Sequence, residues 1–424
     1  MKDDDIFFER TSAGIPVTVE TIPGCESSGY MVAVGTGSRD EDRSVMGISH
    51  LLEHVVFRET ATRDSYRMAK EIEGAGGELN AFTAKEVTAF YGVTIKETEA
   101  VARDMVSDIV ANPLINAKDV ELEKKIVLQE ISMVRNNPES YIHDLFGRTI
   151  WNGHELSQDE AGEVEIVEGL DDGDLRAYYE ERYKAPNLAV FAAGNVDPEV
   201  TLAWAEEKFD PLSGGKAVSR KAPARPAAKY DLIERGDEHC YVAMGFPAYH
   251  AGHPDRAAVM LLSAILGSGT SSRLFQGVRE EKALVYAVYN SIDQNCDAAS
   301  MATFLSSTKE NVIEAVETAA SIYGELRDGG LEEGELQRSK NLIKGATVRS
   351  MESTERRLYS LTRNTMLTGR PDSFRDRLAA IDSVTEDDVM RVAADLISPD
   401  RLNLTVFGER TRDLEDFTPD RLLL

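Results

Sequence analysis

The sequence predicts a two-domain protein of mixed α and β structure, built from one sheet-and-helix unit that occurs twice. Three observations predict it. At 424 residues the chain exceeds the roughly 250–300 residues at which single cores stop growing. In both halves, strand-like apolar runs alternate with longer runs of helical period, the pattern of a sheet covered by helices. The halves also resemble one another at nearly constant spacing. The amphipathic segment Asp174-Leu175-Arg176-Ala177-Tyr178-Tyr179 leads to the apolar strand Leu188-Ala189-Val190-Phe191. The same order recurs 214 positions later, from Asp388-Val389-Met390-Arg391-Val392 to Leu402-Asn403-Leu404-Thr405-Val406-Phe407. Nearer the start of each half, Tyr30-Met31-Val32-Ala33-Val34-Gly35 is matched by Tyr241-Val242-Ala243-Met244-Gly245 at an offset of 211.

Between the halves, Ser213-Gly214-Gly215-Lys216 through Pro223-Ala224-Arg225-Pro226 is rich in Gly, Pro and basic residues and lacks periodicity, so it reads as a linker. The expected organisation is an N-terminal domain over 1–215, a linker over 216–227 and a C-terminal domain over 228–424.

Composition narrows the function classes. Apolar and charged fractions of 42% and 29% are those of a soluble globular protein. No run approaches the ~18 consecutive apolar residues of a membrane span. The start, Met1-Lys2-Asp3-Asp4-Asp5, lacks the basic-then-apolar order of a secretory signal, so a cytoplasmic protein is expected. A formal net charge of −27 repels nucleic acid and anionic membrane surfaces, and neither is expected as a partner. Cys25, Cys240 and Cys296 are odd in number and widely spaced, which suggests reduced thiols rather than disulfides or a cysteine metal cluster.

The chemistry concentrates in Gly47-Ile48-Ser49-His50-Leu51-Leu52-Glu53-His54-Val55-Val56-Phe57, which has helical period. His50 and His54 stand i and i+4, so their imidazoles leave one face and can share one metal ion. Glu53 lies beside them and can address a water on that metal without ligating it. The order His-x-x-Glu-His inverts the His-Glu-x-x-His zinc motif and supports the same chemistry. A catalytic zinc takes three protein ligands and keeps a position open, so a third ligand is required. The helical segment Asp119–Val134, with Ile126, Ile131 and Val134 as candidate apolar contacts, offers Glu121, Glu123 and Glu130. Glu123 and Glu130 are two turns apart and share a face. One can ligate while the other hydrogen-bonds a zinc histidine or a nearby donor.

His50-x-x-Glu53-His54 with Glu130 76 residues past His54 resembles the inverted-zincin motif of the insulinase/pitrilysin metallopeptidase family. The resemblance extends to the small processing-peptidase-like zinc peptidases of bacteria and archaea and covers essentially the whole chain. It implies one Zn²⁺ per chain, held by His50, His54 and Glu130, with Glu53 as general base and Glu123 as an auxiliary carboxylate. For the fold it implies α+β architecture, an α/β sandwich of two homologous domains, each a mostly antiparallel sheet with helices packed on one face.

In the second half the helix-like segment Asp255–Leu266 lacks His-x-x-Glu-His, so this half is expected not to bind zinc. The glycine-rich turn Leu266–Phe275 has neither the lysine of a P-loop nor a six-residue Gly-x-Gly-x-x-Gly pattern and reads as a tight turn. The step from Arg279 to Tyr286 resembles the family's arginine–tyrosine pair. Such a pair contacts substrate and stabilises negative charge developing on the scissile carbonyl oxygen. Gly76–Ala84 followed by Glu86–Val93 suggests a hairpin. Its Asn80-Ala81-x-Thr83 portion resembles the family's edge strand, to which an extended peptide adds by main-chain hydrogen bonds, so Asn80 and Ala81 are candidate substrate contacts. His143, His154, His239, His250 and His253 have no convincing partner spacing.

These readings lead to an expected zinc-dependent endopeptidase of the His-x-x-Glu-His type, acting on extended or unfolded polypeptide. Larger relatives close four such domains into a clamshell. Two per chain imply a homodimer, or a heterodimer with a paralogous subunit, in which Arg279 and Tyr286 of one subunit face the zinc of the other. The alternative is a non-catalytic peptide-binding or assembly subunit of the same family, and zinc content separates the two.

Overall fold

The computed structural model describes residues 6–236, 238–409, 411–418, 422 and 424. Met1–Asp5, on which the expectation about a secretory signal rests, lie outside the described residues. The chain forms two compact units, each with its own sheet and core.

The first unit holds strands β1 (Ile6–Arg10), β2 (Pro16–Thr21), β3 (Ser27–Val34), β4 (Glu78–Thr83), β5 (Thr88–Ile95) and β6 (Leu188–Gly194). Their order is β1-β2-β6-β3-β5-β4, with only β2 and β6 parallel among these neighbours. The second holds β7 (Lys229–Glu234), β8 (His239–Ala248), β9 (Ala287–Gln294), β10 (Ala299–Thr308) and β11 (Asn403–Gly408), in the order β7-β11-β8-β10-β9. Here β7 and β11 are the parallel pair. The repeat seen in sequence is therefore a repeat of topology. β3 and β8 occupy equivalent central places, and β4 and β9 are the corresponding edges. The fold class is mixed α/β in two mostly antiparallel domains, as expected.

Central strands alternate between two cores, because successive side chains leave opposite faces. On β3, Tyr30, Val32 and Val34 enter the main core beneath the helices, while Met31 and Ala33 enter a smaller cluster on the other face. That second face is where the contiguous halves 1–215 and 228–424 fail to describe the compact units. In the first unit it is covered by the helix Thr354–Thr368, through Leu358 and Leu361, although this helix lies late in the sequence. In the second unit it is covered by the early helix Pro138–Ile150, through Ile142, Leu145, Phe146 and Ile150. The first unit thus comprises residues up to Met133 with Gln158–Lys221 and Val348–Ser373, and the remainder forms the second. A central sheet with two apolar faces needs both covered, and each half's own helices cover one.

The first four α-helices in chain order are α1 (Ile48–Val56), α2 (Ser65–Gly74), α3 (Glu99–Ala111) and α4 (Ala117–Asn136). On α4 the buried apolar positions are Val120, Val127 and Ile131. Of the expected contacts only Ile131 is in the core. Ile126 and Val134 are exposed, because the buried stripe runs one residue to the side of them. The three cysteines are free thiols. Among the described residues no helix is long and apolar enough to cross a membrane.

Candidate metal centre

Helix α1 has two faces with the same period. Ile48, Leu51, Leu52, Val55 and Val56 are buried and pin it to the sheet. The i, i+3, i+4, i+7 set on the other side is His50, Glu53, His54 and Phe57. Its start requires glycine. Gly47 is the N-cap with φ 92°, and a Cβ there would meet the Ala161 carbonyl oxygen at 2.7 Å.

Glu130, on α4, completes a cluster. Its Oε2 lies 3.6 Å from His50 Nε2 and 3.4 Å from His54 Nε2. The three candidate ligand atoms all lie within 4.8 Å of one another. These separations are long for hydrogen bonds but suit a shared cation. With metal–ligand bonds near 2.1 Å, the edge of a tetrahedron is about 3.4 Å. The donor set, two imidazoles and one carboxylate, is a zinc set. Glu123 shares the face of Glu130, as expected from their seven-residue step. It is buried, and its Oε2 meets His54 Nδ1 at 3.0 Å, leaving Nε2 to point at Glu130. Its other oxygen lies 3.4 Å from the Arg58 guanidinium.

The electrostatics separate His50, His54 and Glu53. Burial, then the neighbouring His54, lowers the His50 pKa to about 4, so this imidazole is held neutral as a ligand must be. Burial also pulls His54 down, but the hydrogen bond to Glu123 and the charges of Glu130, Glu53 and Glu123 outweigh it, and its pKa rises. Burial raises Glu53, opposed by the Thr83 hydrogen bond and by His54 and helped by Glu130. A carboxyl raised in this way suits proton transfer better than an exposed one. Thr83 donates to Glu53 Oε2 at 2.6 Å. In the sequence Thr83 shows only as part of a strand pattern. The signal for its role is strand alternation, which puts Thr83 on the same face as Ala81.

That alternation divides the candidate substrate contacts. Ala81 packs toward the main core, as does Leu79, whereas Phe82 packs into the cluster on the opposite face. Asn80 is exposed, and its side-chain oxygen accepts the Ala81 amide at 2.8 Å. β4 is an edge strand, so its outer rim is open to an added strand once that amide is released. A cleft of about 670 Å³ adjoins the cluster, walled by Glu53, His54, Phe57, Met68, Ile72 and Leu79.

The second unit carries the scaffold of this centre without its ligands. Lys124 of α4 donates to the carbonyls of Glu168 and Leu170, and Lys340, 216 positions on, donates to those of Asp382 and Val384. Arg58 approaches Asp119, and Arg273 pairs with Glu335. Carrying these offsets of 215 and 216 across, His50, Glu53 and His54 fall on Ile265, Ser268 and Gly269, and Glu123 and Glu130 on Ser339 and Ala346. No donor set survives there. Arg279 and Tyr286 lie in this unit and meet each other. The guanidinium sits 5.5 Å from the Tyr286 ring centroid and 4.6 Å from that of Phe275. Tyr286 is 82% exposed. Among the described residues, His143, His154, His239, His250 and His253 join no metal-capable group.

A duplicated helix-on-sheet fold with an inverted His-x-x-Glu-His helix and a converging distal glutamate defines a zinc-protease-like protein. Residues 17–162 match the family described as Insulinase (Peptidase family M16), and residues 170–343 match that described as Peptidase M16 inactive domain. The chain is 32% identical over 394 residues to an "uncharacterized zinc protease" of Mycobacterium bovis, covering 91% of this chain and 89% of the relative. The chain belongs to peptidase family M16, the insulinase family. Its fold is that of a structure described as a peptidase M16 inactive domain from Pseudomonas fluorescens, with TM-score 0.88, 19% identity and 96% and 98% of the two chains covered. It is also that of a protease from Helicobacter pylori, with TM-score 0.86, 19% identity and 95% and 99% covered.

Proposed function

We propose that the protein is a zinc-dependent endopeptidase that cleaves extended or unfolded polypeptide. The observation that carries this is the convergence of His50, His54 and Glu130 beside a Glu53 fixed by Thr83. His50, His54 and Glu130 hold one Zn²⁺, and Glu123 orients His54. When bound, the ion supplies Lewis acidity at the scissile carbonyl and acidifies water. Glu53 takes the proton of the attacking water and passes it to the leaving amine. The substrate lies along β4 at Asn80 and Ala81, displacing the Asn80 side chain from the Ala81 amide, and one of its side chains enters the adjoining cleft.

Arg279 and Tyr286 stabilise the developing oxyanion or an adjacent substrate carbonyl. We place them in a homodimer, with the pair of one subunit facing the metal of the other. Mixing inactive Glu53→Gln subunits with inactive Tyr286→Phe subunits tests this. Exchange that restores no activity refutes the trans arrangement.

A second reading, a non-catalytic peptide-binding subunit, draws on the match of residues 170–343 to a domain described as inactive. The proposed ligands lie in the other match, over residues 17–162, which favours the enzyme. Zinc content, and cleavage of an unstructured peptide with and without chelator, decides between them. Stoichiometric zinc with chelator-sensitive cleavage supports the peptidase. A metal-free chain that binds peptide without cutting it refutes it.

A further inference from the structure

The two histidines of the centre are held differently. His54 has Glu123 on its far nitrogen at 3.0 Å. His50 has nothing comparable: its Nδ1 is buried with no hydrogen-bond partner. A ligating imidazole is ordinarily aimed by a group on its second nitrogen. For His50 the aim has to come from the helix backbone that carries it.

That backbone has no cap of its own. The N-cap of α1 is Gly47, which brings no side chain, and the first turn has no acidic residue. Nor can Gly47 be exchanged for a capping residue, because its left-handed φ and the Ala161 carbonyl leave no room for a Cβ. The orphan N–H groups of the first turn therefore need an outside acceptor. Glu41 supplies it. Its Oε2 accepts the Gly47 amide at 2.7 Å and its Oε1 accepts the Ser49 amide at 2.8 Å, immediately before His50. Glu41 is 4% exposed, and no basic side chain pairs with it among the described residues.

The turn bearing Glu41 is itself fixed. Arg39 makes a buried ion pair with Glu86. Asp40 is held by two nitrogens of Arg220, at 2.8 and 2.7 Å. Gln158 Nε2 donates to the carbonyls of Ser38 at 2.7 Å and Glu41 at 3.2 Å. The two oxygens thus stand on a rigid base, as a device that sets geometry requires.

We propose that Glu41 is a positioning residue of the metal centre, whose two-oxygen grip on the first turn of α1 sets where His50 stands. The proposal rests on the reading of His50, His54 and Glu130 as a metal centre and assigns Glu41 a role in it.

The test uses the full chain and three measurements: zinc affinity by competition with a chromogenic chelator, the visible spectrum of the Co²⁺-substituted protein, and thermal unfolding of the metal-free protein. Glu41→Gln keeps the shape but turns one acceptor into a donor facing an N–H. The expected result is zinc affinity lowered about tenfold or more, with a shifted Co²⁺ spectrum, in protein that is still folded. Glu41→Asp keeps the carboxylate and shortens its reach, so it should show the same changes to a smaller degree. It carries the test where Glu41→Gln does not accumulate. Lowered unfolding temperature with affinity within twofold of wild type and an unchanged Co²⁺ spectrum overturns the proposal, leaving Glu41 a stabilising residue only. Wild-type protein that takes up no stoichiometric zinc overturns the metal-centre reading itself, and this proposal with it.

Discussion

The duplicated lysine allows the fold and the site to be tested against each other. Lys124 and Lys340 are each 8% exposed and occupy matching places in the two units. Lys124 donates to two carbonyl oxygens at 3.1 and 2.9 Å, and Lys340 to two at 2.8 and 2.5 Å. Lysine to methionine keeps most of the apolar stem and strands both carbonyls. A hydrogen bond involving a charged group contributes about 1.5–3 kcal/mol, and water reaches an 8% exposed site in part. We therefore expect each of Lys124→Met and Lys340→Met to cost about 2–4 kcal/mol. For domains of this size that lowers the unfolding temperature of the metal-free protein by on the order of 10 °C. Their effects on metal should differ. Lys124 ties α4 to the segment at 168–170, and α4 carries Glu123 and Glu130, whereas the helix Glu335–Ser350 carries Ser339 and Ala346 at those places. Lys124→Met should weaken zinc binding about tenfold and Lys340→Met should leave it unchanged. Calorimetry and chelator competition on both variants make the comparison. Equal loss of zinc in the two, or no loss of stability in either, refutes the reasoning.

Glu53→Gln should retain zinc and lose peptide cleavage by about 10²–10⁴-fold, measured as kcat alongside metal content. Glu130→Gln removes a ligand, and its zinc content after dialysis should fall well below one per chain. Because Tyr286 is 82% exposed, Tyr286→Phe should change stability by less than about 0.5 kcal/mol while kcat falls about 100-fold. An unchanged kcat removes Tyr286 from the chemistry.

Much of this molecule was legible in the sequence because its devices are periodic or local. The offsets near 211 and 214 report two equivalent sheets without specifying their strand order. The i, i+4 step of His50 and His54 and the seven-residue step of Glu123 and Glu130 follow directly from helix geometry, so the face each residue occupies could be read from its number. What was not legible depends on distance in space. No period announces that the helix Thr354–Thr368 covers the first sheet while Pro138–Ile150 covers the second. Either helix would read as amphipathic wherever it packed. Likewise Ile126 and Ile131 differ in burial because the stripe on α4 includes Lys124, a charged residue whose two carbonyl acceptors exist only in the folded chain. Glu41 escapes notice in the sequence for the same reason. It lies outside the motif, in a run of charges that reads as solvated surface. Its role appears only when the Gly47 and Ser49 amides are found facing it and the far nitrogen of His50 is found facing nothing. A motif records which atoms meet the reacting groups. The groups that aim those atoms come from wherever the fold brings an acceptor to an unsatisfied donor, and their sequence positions are free to drift.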